Sequence, residues 1–194
     1  MNDDEVLERL AVIERMVQEG RRTIERWAWV YVLWGVGHVV CVAASFVLPA
    51  PEAGLVWAGA MTACGLAMGV GVWRQARRHP RVEQRSGRAL DAVWVGFAMI
   101  IVFLVLQPPS GGAISAWFAT FSAAYGAAFF ASGHIAEWTP AKLNGIAWWL
   151  AAVAIKLLDA TAGFVIFGAM ALVGEIGFGL WAMAHERKVI AGGD

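Results

Sequence analysis

Six apolar runs, each of a length suited to crossing a bilayer, constrain this chain more than any other feature of its sequence. A helix rises about 1.5 Å per residue, so covering about 30 Å of hydrocarbon takes about 17–25 apolar residues. Such runs occupy Trp27–Leu48, Gly54–Trp73, Ala89–Leu106, Ala113–Gly133, Leu143–Leu158 and Ala160–Met183, the fifth being the shortest. Only short connections separate them in pairs, at Pro49–Ala53, Gln107–Gly112 and the Asp159 corner, which predicts three helical hairpins.

The expected fold is therefore all-α: a transmembrane bundle of six helices over residues 27–188, an amphipathic helix before it over residues 1–26, and a short tail over 189–194. Composition excludes the soluble alternative that 194 residues would otherwise allow. Hydrophobic residues make up 59% of the chain and charged residues 15%, where soluble domains carry about 25% charge. The first twenty-six residues lack the short apolar core of a cleavable signal, so the first apolar run is expected to stay as a span. Cys41 and Cys64 both fall inside apolar runs with no metal-ligand spacing around them, and read as buried thiols.

Net charge is zero, but its distribution carries information. Five Lys or Arg precede the first run, six lie between Arg74 and Arg88, one is Lys142 and two follow the last run. With six spans, all fourteen fall on one side, which the retention of basic residues identifies as the cytoplasm. Both termini are then cytoplasmic, in a multi-pass protein of the cytoplasmic membrane. The fifteenth, Lys156, is expected to pair with Asp159 or reach the interface. Trp27, Trp29, Trp57, Trp73, Trp138 and Trp181 near run ends fit an aromatic belt, while Trp34, Trp94, Trp117, Trp148 and Trp149 fall within runs and are expected to pack.

Two patterns suggest helix contacts. Gly65 and Gly69 form a GxxxG pair, which marks a close approach within the chain or between chains. Gly59-Ala60-Met61 with Gly65 is echoed by Gly168-Ala169-Met170 with Gly174, a weak repeat between the second and sixth runs. Ahead of the first run, Val6, Leu10, Ile13, Val17, Gly20, Ile24 and Trp27 recur at alternating spacings of four and three, a heptad stripe that must bury itself. Through residues 3–26 it could cover the bundle's own cytoplasmic face or the lipid interface, a second copy of the chain or a soluble cytoplasmic partner.

The Arg74, Arg77, Arg78, Arg81, Arg85 and Arg88 cluster reads as a topology determinant held near anionic lipid headgroups. Without aromatic interleaving it gives no support to nucleic-acid binding.

An ionisable side chain at mid-bilayer costs at least about 2.5–3.5 kcal/mol to insert, so each one demands a partner. Counting inward along the helices places His38 about 16 Å, Glu175 about 12 Å, Tyr125 about 12 Å and Cys64 about 14 Å from one face. These four residues share a layer. A His38/Glu175 pair there would suit proton-coupled transport or sensing, or would simply fix helix register. A metal held by His38, Glu175 and Cys64 has no spacing to enforce its geometry. His134 and His185, ending runs four and six, offer a haem pair as a remote reading; otherwise no cofactor is indicated. Thr120, Ser122 and Ser132 are expected to bond to helix carbonyls.

No nucleophile with its base, phosphate loop or carboxylate pair appears, so an enzyme is the least supported class. The sequence favours a regulatory, sensing or assembly component acting through its cytoplasmic face. The alternative is a small proton-coupled transporter or channel, against which stands the absence of a proline that would break a span.

Overall fold

Peptide groups in hydrocarbon find partners only within their own helix, so a chain of apolar runs resolves into rods. The computed structural model describes residues 5, 12, 24–78, 85–106 and 114–191, and holds no strand among them. Its elements are α1 (Ala28–Val47), α2 (Ala50–Arg78), α3 (Arg85–Leu106), α4 (Ile114–Ile135), α5 (Thr139–Leu157), α6 (Ala160–Met170), a π-helical segment (Ala171–Gly177) and α7 (Phe178–Ala191). The amphipathic helix expected over residues 1–26 lies almost wholly outside the described residues. Of its stripe only Ile24 and Trp27 can be placed, and Ile24 is buried.

Five helices are long and apolar enough to cross a membrane: Ala28–Val47, Ala50–Gln75, Gly87–Leu106, Ile114–Ile135 and the continuous rod Ala160–His185. That supports a multi-pass membrane protein. The helix at the fifth run, α5, is 19 residues long and is not one of the five. Lys142, Asn144 and Lys156 dilute its apolar character, and α4 covers much of it. Large apolar side chains point away from the bundle on the others, Leu55 and Val173 being 74% and 71% exposed, as lipid contact requires.

Local chemistry sets the helix ends. The Asp159 carboxylate does not pair with Lys156 but accepts the Ala162 amide at 3.0 Å, capping α6 and satisfying one of its free N–H groups. Replacing it with Ala should destabilise the fold by about 1 kcal/mol, measured as a shift of the unfolding midpoint in detergent. Between α4 and α5 the chain reverses at Glu137, whose φ of 46° is left-handed, and the Trp138 amide reaches back to the Gly133 carbonyl at 2.8 Å.

Packing follows the small residues. At the α4/α5 seam, a Cβ on Gly145 would lie 2.7 Å from the Gly126 carbonyl oxygen and 2.6 Å from the Phe130 amide nitrogen, so these backbones are in contact. Helix α1 packs against α2, the π-helical segment and α7. By contrast α2 and α3 are peripheral, each touching the bundle along one face, with no substantial packing between them. Their glycines differ accordingly from those of the last rod. Nothing lies within 4 Å of a Cβ built on Gly59, Gly65 or Gly69, whereas one on Gly168 meets Val42 and one on Gly174 meets Trp148. The Gly65/Gly69 pair thus makes no close contact among the described residues, and the two halves of the suspected repeat sit in unlike surroundings.

An aromatic core fills the interior. Tyr31 lies 4.9 Å from Phe129 and 5.4 Å from Trp94, Phe97 lies 4.7 Å from Tyr125, and Phe118 lies 4.7 Å from Phe167, ring centre to ring centre. Such pairs add about 0.5–1.5 kcal/mol each beyond their buried area. Residues at one end of the rods converge as well: Trp29 packs on Gly71, Glu25 reaches His185 and Trp138 stacks on Trp181. The described helix ends near Arg26, Arg74 and Lys142 therefore gather at a common end of the bundle.

Candidate functional site

Helix α1 delivers His38 to the interior because Gly35 and Gly37, on its flanks, let neighbouring helices approach its backbone. A Cβ on Gly35 would lie 2.8 Å from the Glu175 Cβ and 3.0 Å from the Ala171 carbonyl oxygen. One on Gly37 would lie 2.7 Å from the Cys64 sulfur. His38 is 2% exposed and Glu175 is not exposed at all. The His38 Nδ1 stands 2.9 Å from Oε2 and 3.2 Å from Oε1 of Glu175. Either proton arrangement satisfies this geometry, with the imidazole N–H donating to a carboxylate or a protonated carboxyl donating to the bare nitrogen. A proton can pass between them without a change of partner.

Tyr125 joins from α4, its buried side chain lying beside Glu175. Around His38 stand four aromatic rings: Phe121 and Phe167, each 5.3 Å away and edge-on, with Trp34 at 6.0 Å and Trp57 at 6.4 Å. This wall excludes water and presents ring faces and edges that suit a cationic or a neutral imidazole. Of the four residues expected in one layer, His38 and Glu175 are thus linked by a hydrogen bond, with Tyr125 beside them. The fourth, Cys64, is buried near them, but its thiol donates to the Leu33 carbonyl at 3.6 Å. Among the described residues no three His, Cys, Asp or Glu side chains converge to hold a metal ion.

Glu175 sits inside the seven-residue π-helical segment Ala171–Gly177. Such bulges carry one residue more than an α-helical path between the same ends, and they are concentrated at functional sites. Proline is absent from the last run, yet its hydrogen-bond ladder changes register at mid-span. Helix α5 supports the segment. The Asn144 amide donates to the Gly174 carbonyl at 2.9 Å, and Trp148, fully buried, leans over Gly174 with its indole N–H unpartnered. Neither Asn144, Trp148 nor the π-helical register was among the site features expected from sequence. Asn144 alone left a signal there, as the one side-chain amide within the apolar runs.

The hydroxyl-bearing residues of α4 divide. Thr120 bonds to the Ala116 carbonyl at 2.8 Å, as expected, but the buried Ser122 and Ser132 hydroxyls have no partner among the described residues.

The remaining candidates lie apart from this cluster. His185 is half-exposed, stacked on Trp181 at 5.6 Å, with its Nε2 3.8 Å from a carboxylate oxygen of the buried Glu25. His134 is exposed and rests against Phe130 at 4.7 Å. No contact joins the two histidines among the described residues. In the basic cluster, Arg77 lies 4.0 Å over the Trp73 ring, and Arg74 and Arg88 are exposed. Leu10, Ile13, Val17 and Arg81 fall outside the described residues, and for Arg78 and Arg85 the helix alone is placed.

Comparison with known protein families, with characterised proteins and with solved structures finds no match. Function must be argued from the site itself.

Proposed function

We propose that this chain is a small transporter whose cycle is coupled to protonation of the His38–Glu175 pair, with Tyr125 as its third member. The contact between two buried titratable side chains at 2.9 Å carries the reading. Intramembrane acids and histidines that face a bundle interior and pair with one another are the usual parts of proton relays. Helix register alone can be fixed by neutral contacts such as that of Asn144 with the Gly174 carbonyl, which need no titratable group. A change of register in the very helix that carries Glu175 supports the same reading.

In this proposal α5 is the fifth of six spans, the helices form three hairpins, and the basic ends with both termini face the cytoplasm, following the distribution of Lys and Arg. The bundle belongs to the cytoplasmic membrane. The regulatory or assembly role that the sequence favours rests chiefly on residues 3–26, most of which are not described. The buried pair shifts the preference to transport. No enzyme activity and no resident cofactor enter the proposal.

The test is proton flux into proteoliposomes under an imposed pH gradient. Glu175→Gln keeps the shape and a hydrogen-bonding group but no longer exchanges a proton, and should lower flux at least about tenfold, the loss of about 1.4 kcal/mol at the rate-limiting step. Flux unchanged by that substitution would remove Glu175 from the path.

A further inference from the structure

We propose that residues Ala171–Gly177 occupy two helical registers, and that Glu175 moves between two polar stations as they exchange: His38 with Tyr125 in one, Trp148 in the other. This rests on the reading of the pair as the transport site.

The argument begins with the extra residue that a π-helical segment holds. Moved along the rod, the bulge turns each residue that it passes by about 100° around the helix axis, the angle of one residue in an α-helix. Glu175 would then take up the direction in which Gly174 now points. That direction is furnished for it. A Cβ built on Gly174 comes within 2.8 Å of the Trp148 indole nitrogen, 2.9 Å of the Met170 methyl carbon and 3.0 Å of the Asn144 amide oxygen. All three are side-chain atoms rather than backbone; Trp148 is fully buried and Asn144 is held by the Gly174 carbonyl, so both must shift to admit the carboxylate. The indole N–H is buried and has no acceptor in the present register, an arrangement that native interiors rarely tolerate. A carboxylate arriving from Glu175 supplies that acceptor.

Other features of the segment fit movement. Leu172 and Val173 on its outer side face away from the bundle, 52% and 71% exposed, so they turn without crossing packed groups. Gly174 has no side chain to displace. The Asn144 amide on the Gly174 carbonyl latches the present register and must let go for the other. Tyr125, beside Glu175 and with its ring tilted 38° against Trp148 at 4.8 Å, stands between the stations and can follow the carboxylate with its hydroxyl.

Deleting Leu172 tests this directly. The deletion removes the extra residue, closes the segment as an ordinary α-helix and leaves both ends in their present register. Flux in proteoliposomes should fall at least about tenfold, while the protein still inserts and unfolds cooperatively. Trp148→Phe, which takes away only the waiting donor, should lower flux as well. In the unaltered protein, amides of 171–177 should exchange with deuterium faster than those of Ala160–Met170 in the same rod, since they open on each change of register.

Parental flux in both variants overturns the two-register inference, as does exchange in 171–177 as slow as in the neighbouring turns. That exchange measurement decides the matter even if neither variant folds. An unaltered protein that carries no protons fails the transport reading instead, and leaves the registers to be judged by exchange alone.

Discussion

Glu175→Leu is expected to cost the folded bundle about 3 kcal/mol, near the lower end of the roughly 3–5 kcal/mol typical of breaking one side of a buried ion pair. Truncating the carboxylate strands the imidazole of His38, which is 2% exposed and walled by Phe121, Phe167, Trp34 and Trp57. A buried donor or acceptor left without its partner bears the full desolvation penalty, whichever side chain held the proton before. The figure sits low in the range because helices separated in a bilayer or a micelle also find polar partners, which softens the reference state.

The double variant His38→Phe/Glu175→Leu should recover most of the loss, because it replaces the pair by apolar groups of similar volume. Unfolding titrations of all four proteins in mixed micelles give the coupling. A double variant no more stable than Glu175→Leu alone would mean that the pair is not the unit assumed.

The helices themselves were legible in the sequence because hydrocarbon leaves a backbone so few choices. Their exact ends were less so. Helix α2 starts at Ala50 and runs on to Arg78, past the apolar run, since Arg and Gln are good helix formers whose chains reach the interface. That His38 and Glu175 could meet was legible from depth, a count of residues multiplied by the helical rise; the 2.9 Å contact comes from the structure.

Depth does not give azimuth. That is why Cys64, at a suitable depth, turned out to bond with the Leu33 carbonyl. It is also why Lys156 and Asp159, three residues apart, did not pair: the carboxylate is needed at the start of α6. The π-helical segment left no mark in composition, since Ala-Leu-Val-Gly-Glu-Ile-Gly suits an α-helix equally well. What selects it is tertiary: Gly35 pressed against one side, and Trp148 with Asn144 against another.

Gly35→Leu should be the glycine substitution that strikes stability and flux together, because it acts beside the buried pair. Even a Cβ at this position would meet the Ile176 side chain at 2.7 Å, the Glu175 Cβ at 2.8 Å and the Ala171 carbonyl oxygen at 3.0 Å. Two of these are anchored, one being backbone and the other the first carbon of a buried side chain, so neither can swing aside. Three further carbons must then force α1 away from the π-helical segment, at a cost at or above about 3 kcal/mol, the upper end of ordinary overpacking. The same displacement lengthens the 2.9 Å contact between His38 and Glu175, because both lie at this crossing. Gly59→Leu supplies the comparison: nothing lies within 4 Å of its Cβ, so stability and flux should stay at the parental level. If instead the two variants behave alike, close packing of α1 on the segment is not what holds Glu175 in place, and the buried pair must owe its geometry to the hydrogen bonds alone.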